Sequence, residues 1–208
     1  MTIQFFDKKT NKFYKLVETS TWPTVIISGI RMHRTDQIDP KLDTILKIKS
    51  LGKIYGKILD TCTGLGYTAI LSAKQKNVKQ VLTIEKDKNM IFLAKQNPFS
   101  KDLFDNEKIM LVLQDTTIAI KNIKENFFNF IIHDPPRFSL APELYTQDFY
   151  NELYRVLKPR GRLYHYTGKP GIKQGKNISK NISKRLRLAG FKFVKKVEKA
   201  DGLVAFKF

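Results

Sequence analysis

The chain has 208 residues, 42% hydrophobic and 27% charged, which suits one packed α/β domain without low-complexity tracts. The formal charge is +19, and the last 51 residues, from Lys158 on, hold 15 Lys and Arg against Glu198 and Asp201, a net of +13. A lone cysteine, Cys62, excludes an internal disulfide and Cys-based zinc or iron–sulfur sites, and no apolar run approaches the ~20 residues of a membrane span.

Residues 1–38 read as a small β appendage. Ile3–Phe6, Lys12–Glu18 and Thr24–Met32 are short β-prone runs with turn signals at Thr10-Asn11 and Trp22-Pro23. A helix over Pro40–Leu51 leads into the main domain, residues 39–208, where apolar runs alternate with helical stretches as in a mostly parallel sheet. Strands are expected at Lys57–Asp60, Gln80–Glu85, Ile109–Gln114, Phe127–His133 and Arg162–Tyr166. Helices are expected over Tyr67–Lys76, Lys88–Gln96 and Leu144–Leu157, the last followed by a turn at Lys158-Pro159-Arg160-Gly161. A final helix, Ile178–Ala189, precedes a hairpin of Lys192–Val197 and Leu203–Phe208. Its four-residue period places Ile178, Ile182 and Leu186 on one face and Lys176, Lys180 and Lys184 on another, the expected contact with RNA phosphates.

The most informative stretch is Asp60-Thr61-Cys62-Thr63-Gly64-Leu65-Gly66-Tyr67-Thr68-Ala69. It is a strand, a glycine turn and a helix N-terminus, where backbone can approach a ligand closely. An acid at the end of the strand welcomes a cofactor with a cationic amino-acid end and repels a pyrophosphate. Asp60, Thr61, Cys62, Gly64, Gly66, Tyr67 and Thr68 are therefore the expected cofactor loop. The next strand ends in Glu85-Lys86, placed to accept ribose hydroxyls, and the third in Gln114-Asp115, placed to hold an adenine amino group. The fourth ends in His133-Asp134-Pro135-Pro136-Arg137-Phe138. Two prolines there remove two N–H donors, so carbonyls and the Asp134 carboxylate face the cleft as acceptors, an arrangement suited to an exocyclic amine. Asp134, Pro135, Arg137 and Phe138 are the expected catalytic group, and His133 is expected to line the cofactor cleft. Arg31, His33 and Arg34 are expected to close over the cofactor or to bind phosphate. The three histidines show no metal-ligand spacing.

Residues 58–69, 83–87, 114–115 and 133–138 resemble motifs I to IV of class I S-adenosylmethionine-dependent methyltransferases. More narrowly, Ser28-Gly29-Ile30-Arg31-Met32-His33-Arg34, the Asp60–Thr68 loop and His133–Ser139 resemble an archaeal family of such enzymes. The resemblance implies a Rossmann-like, seven-stranded, mostly parallel sheet with a C-terminal antiparallel hairpin. It also implies S-adenosylmethionine as cofactor and structured RNA, ribosomal RNA in particular, as substrate, with cytosine N4 as the candidate atom. Two departures stand out: Cys62 replaces the first motif I glycine, and Arg137 replaces the aromatic that follows the prolines. Methylation at cytosine C5 and radical chemistry both require more cysteines than the chain has. An aminopropyl or small-amine transferase, a protein glutamine methyltransferase and a non-catalytic RNA-binding module are the rival readings. The first is disfavoured by overall charge, since a +19 protein is a poor host for a polycation unless its pocket is strongly acidic. The N-terminus shows no signal-peptide pattern, and a cytoplasmic location without membrane contact is expected.

Overall fold

A computed structural model describes residues 3–168 and 178–208. Its centre is a seven-stranded sheet. The strands are β5 (Gly56–Asp60), β6 (Val78–Glu85), β7 (Ile109–Leu113), β8 (Phe128–His133), β9 (Leu157–Tyr166), β10 (Lys192–Val197) and β11 (Gly202–Phe206), in the order β10-β11-β9-β8-β5-β6-β7. β5 to β9 pair in parallel, whereas β11 runs antiparallel to β9 and β10 antiparallel to β11. This is the Rossmann-like α/β sheet of class I methyltransferases, with its antiparallel hairpin at one edge. The strand order reverses beside β5, and ligands bind such sheets at the carboxyl ends of the strands flanking that reversal.

The two-residue alternation of each strand sends side chains to two cores. Ile58, Val81, Phe130, Ile132 and Tyr164 face helices α1 (Pro40–Ser50), α2 (Tyr67–Ala73) and α3 (Lys88–Gln96) and the short α4 (Asp102–Asp105). Leu59, Ile84, Ile131, Leu163 and Leu203 face α6 (Gln147–Val156), α7 (Ile178–Leu188) and the one-turn α5 (Thr116–Ala119). Most of these sheet residues are fully buried, each worth about 1.5–3 kcal/mol.

Polar residues set the helix starts. Asp39 accepts the Leu42 N–H ahead of Pro40 in α1, Asp87 accepts that of Asn89 in α3, and Thr146 accepts that of Phe149 in α6. Strands β1 (Gln4–Asp7), β2 (Lys12–Val17), β3 (Thr24–Ile27) and β4 (Ile30–Arg31) form a separate antiparallel sheet. It docks on the α2 and α3 side, where Tyr14 and Val25 join the first core and the Tyr14 hydroxyl donates to Asp87 Oδ2 at 2.7 Å.

Three expectations need adjustment. The run Thr24–Met32 is two strands, because Ser28 and Gly29 take φ of 45° and 83° and close a hairpin between them. The helix expected from Leu144 starts at Gln147, after a 3-10 turn over Pro142–Tyr145. Residues 158–161 do turn the chain, but inside β9: Phe128 pairs with Leu157 and Phe130 with Arg162, so the four intervening residues loop out. Among the described residues no helix is long and apolar enough to cross a membrane.

Candidate active site at the carboxyl edge of the sheet

The ends of three adjacent strands gather carboxylates. Asp60, last in β5, lies opposite Thr83 of β6 and Ile132 of β8, so Glu85 and Asp134 each stand two residues beyond it on the flanking strands. Asp60 is wholly buried. Thr83 Oγ1 donates to one of its oxygens at 2.8 Å and Thr68 Oγ1 to the other at 3.1 Å. Burial, with the Asp134 and Glu85 charges adding to it, pushes its carboxyl up to about 7. It thus lies beneath the glycine turn and ties β5 to β6 and to the start of α2.

The turn above it is Thr61–Gly66. Thr61 and Thr63 tie it down: the Thr61 N–H donates to the Ile132 carbonyl at 3.1 Å, and the Thr63 hydroxyl meets that of Thr83 at 2.7 Å. Gly64 has φ 56°, and its N–H donates to Glu85 Oε2 at 2.9 Å. A Cβ on Gly64 would meet nothing within 4 Å, so open space comes up to bare backbone there. Gly66, with φ 80°, caps α2 and touches Leu103 so closely that a Cβ would lie 2.7 Å from that side chain. One glycine borders open space and the other serves packing. Cys62 beside them has its thiol pushed well above the ordinary value, chiefly by burial.

Glu85 is half-buried; Oε1 takes the Asp87 N–H at 2.9 Å, which leaves each oxygen a further lone pair. Asp115 caps α5 through the Thr117 N–H at 2.8 Å, and Gln114 is exposed beside it. Lys86 bridges Glu143 and, at 4.0 Å, Asp115, so it braces the rim.

At the end of β8, Asp134 remains 19% exposed, and its Oδ2 accepts from Lys47 Nζ at 2.7 Å. Burial raises its carboxyl and Lys47 partly offsets that. Pro135 is buried, and the Pro136 carbonyl accepts the Tyr145 hydroxyl at 2.7 Å, which fixes the path of the loop. Arg137 is exposed, and Phe138, 54% exposed, stands edge-on to Tyr145 at 5.5 Å between centroids.

Other expected residues are employed elsewhere. His133 does not reach the cleft: it is fully buried, with Nδ1 on the Thr61 hydroxyl at 2.7 Å, Nε2 on the Leu144 carbonyl at 3.1 Å and the His165 ring at 4.4 Å. Burial keeps it neutral. Tyr67 also faces inward, donating to the Pro23 carbonyl at 2.9 Å and receiving Asn97 at 2.8 Å. Arg34 is not poised for phosphate. It reaches Asp43 at 3.1 Å, Asp201 at 2.9 Å and the Lys199 carbonyl at 3.0 Å, joining chain segments far apart in sequence. His33 packs on Tyr67 at 5.2 Å and is lowered to about 4, chiefly by burial. Arg31 is exposed and donates to the Thr35 hydroxyl. Lys180 and Lys184 lie on the exposed face of α7 with Arg187, while Lys176 falls outside the described residues. The residues that sequence reasoning missed are Lys47 and Asp43 on α1. Their spacing of four among Thr44 and Ile48, on the buried side of an amphipathic helix, was the available signal.

Comparison with known proteins follows the same strand ends. The spermine/spermidine synthase domain matches residues 64–200. The chain belongs to that family. An uncharacterized protein of Methanocaldococcus jannaschii is 51% identical over 199 residues, covering 95% of this chain and 68% of that one. A polyamine aminopropyltransferase of Sulfurisphaera tokodaii is 36% identical over 106 residues, 49% of this chain and 35% of that enzyme. The chain therefore aligns with only about a third of that aminopropyltransferase's length. A crystal structure of spermidine synthase with the transition-state analogue AdoDATO superposes with a TM-score of 0.79 at 18% identity. It covers 99% of this chain and 73% of the other, a likeness of fold.

These findings overturn the expectation of RNA methylation. The family match spans the strand ends that carry Glu85, Asp115 and Asp134, and curated relatives of this chain include polyamine aminopropyltransferases. The physical reason is that an acid followed by two prolines serves any attacking amine, and nothing in that loop is particular to a nucleobase. The objection from charge also loses force, because local field and not net charge governs a pocket. Glu85, Asp134, Asp43 and the buried Asp60 crowd one edge of a +19 molecule.

Proposed function

We propose that the protein transfers an aminopropyl group from a decarboxylated S-adenosylmethionine-type sulfonium to an amine acceptor. The observation that carries the reading is the row of carboxylates at adjacent strand ends beside the bare backbone of Gly64, in a chain of the spermine/spermidine synthase family. Such a donor brings a sulfonium, whose departure as a neutral thioether drives the transfer. The residues do the rest. Glu85 accepts the ribose hydroxyls, and the bare Gly64 backbone admits the adenosine. A donor lacking its α-carboxylate carries only positive charge at its amino end, which suits an edge bordered by Glu85 and Asp134. Asp134 Oδ1 and the Pro135 carbonyl accept the acceptor's N–H groups and aim the nitrogen lone pair at the carbon bound to sulfur. As the N–C bond forms and the C–S bond breaks, Asp134 takes the proton shed by the nitrogen.

Incubation with decarboxylated S-adenosylmethionine and a panel of mono-, di- and triamines tests this directly. Mass spectrometry should show an aminopropylated amine with stoichiometric methylthioadenosine. No such product, together with methyl transfer from S-adenosylmethionine to any acceptor, would overturn the reading.

A further inference from the structure

Asp134 has a partner that arrives from outside the strand edge. Lys47 Nζ lies 2.7 Å from Asp134 Oδ2 and 2.9 Å from Asp43 Oδ2, with 3% of its side chain exposed. An ammonium so deep is retained only where its charge is met, and two carboxylates meet it. Helix α1 supplies both Asp43 and Lys47 one turn apart, the ring of Tyr166 lies 4.6 Å from Nζ, and Arg34 holds Asp43 at 3.1 Å. The lysine cannot swing away without stranding several buried charges. The pairing on Asp134 is also one-sided: Lys47 takes Oδ2, and among the described residues Oδ1 accepts no hydrogen bond.

We infer that Lys47 is a positioning residue, which clamps one oxygen of Asp134, holds the carboxylate ionised among neighbouring acids and leaves the other oxygen for the incoming amine. This rests on the reading of Asp134 as the group that receives the amine's proton. The need for a clamp follows from the surroundings. Asp134 faces Asp43 from α1, Asp60 and Cys62 from β5 and its loop, Tyr145 from the 3-10 turn and Tyr164 and Tyr166 from β9. Burial and the anionic Asp43 both favour its neutral form, and of these neighbours Lys47 is the one that opposes them. A neutral Asp134 could orient an amine but could not take its proton.

The test is a carbon-detected NMR titration of the Asp134 carboxyl, paired with pH profiles of kcat/KM, in wild type and three variants. In Lys47→Met the carboxyl should titrate about 1–3 pH units higher. The rising limb of kcat/KM should follow it, so that activity lost at neutral pH returns in base. Lys47→Arg should stay close to wild type. Asp43→Asn should move the carboxyl the opposite way, because a like charge is removed while Lys47 remains. An unmoved carboxyl in Lys47→Met, or a rate loss equal at every pH, would overturn the inference. If Lys47→Met does not fold, Lys47→Gln, which keeps a hydrogen-bond donor and drops the charge, takes its place: an upward shift of the Asp134 carboxyl supports the clamp and an unmoved carboxyl refutes it. The NMR titration needs no turnover, so absence of aminopropyl transfer in the wild type would count against the proposed function and not against Lys47.

Discussion

Glu85 and Gly64 meet across the gap between β5 and β6, the glycine N–H donating to Oε2 at 2.9 Å. The carboxylate therefore fixes the conformation of the glycine loop. Glu85→Gln keeps one acceptor oxygen, while Glu85→Ala removes both. Donor affinity should fall in the alanine variant by one or two charge-assisted hydrogen bonds, about 1.5–3 kcal/mol each, and by less in the glutamine variant. Calorimetry with folded variants that bind as tightly as wild type would remove Glu85 from the site.

The two glycines of the turn should part company under substitution. Gly66→Ala drives a methyl to 2.7 Å from Leu103 at a left-handed φ, so overpacking should cost about 1–3 kcal/mol of stability. Gly64→Ala is strained by its φ of 56° but meets no atom within 4 Å, so it should stay folded and lose donor binding as the methyl enters the crevice. Thermal melts and donor titrations of both variants check this, and equal losses in both assays would contradict it.

Asp60 gives a pH dependence with a definite sign. Its folded carboxyl titrates at about 7 against an ordinary 3.8. A raised carboxyl pKa stabilises the fold fully at low pH, and that contribution drains away as pH rises through about 7. Asp60→Asn carries no such titration, so its stability relative to wild type should improve steadily between about pH 4 and pH 7. Denaturant melts at closely spaced pH values measure the difference, and histidines common to both proteins cancel. A constant difference would show that Asp60 is ionised throughout.

Arg34 offers a test of architecture without ligand. Arg34→Met should destabilise the protein by about 3–5 kcal/mol, since it leaves Asp43 and Asp201 facing buried space with less compensation. Hydrogen exchange should quicken both in α1 and around Ala200. A variant that melts like wild type would mean that the bridge is ornamental.

Much of the sheet was legible because strand signals are local. The apolar run ending at His133 and the hairpin after Lys192 needed only neighbours in sequence. The break at Ser28-Gly29 was hidden inside a continuous β-prone run, and only the left-handed φ values reveal it. The short helices α4 and α5 have too few residues to show a period. At the site, acids at strand ends were readable from position alone. Whether a side chain at such an end turns inward was not, as His133 and Tyr67 show: burial depends on what α6 and the β1–β4 sheet bring from afar. Lys47 escaped notice for the same reason, as a lysine on a lysine-rich helix whose partner lies 87 residues away. The net charge was misleading because it averages over a surface that the crevice does not share.

That contrast between a basic exterior and an acidic edge has a kinetic corollary. A polycation approaching a molecule of +19 climbs a repulsive potential before it reaches the carboxylates that would hold it. Added salt shortens the reach of that barrier to about 8–10 Å and spares the desolvated contacts beyond it. Second-order rate constants for diamines should therefore climb with ionic strength and level off, while those for uncharged amines stay flat. The usual behaviour of an electrostatically steered enzyme would be inverted, with the protein's own field slowing the entry of the most highly charged amines.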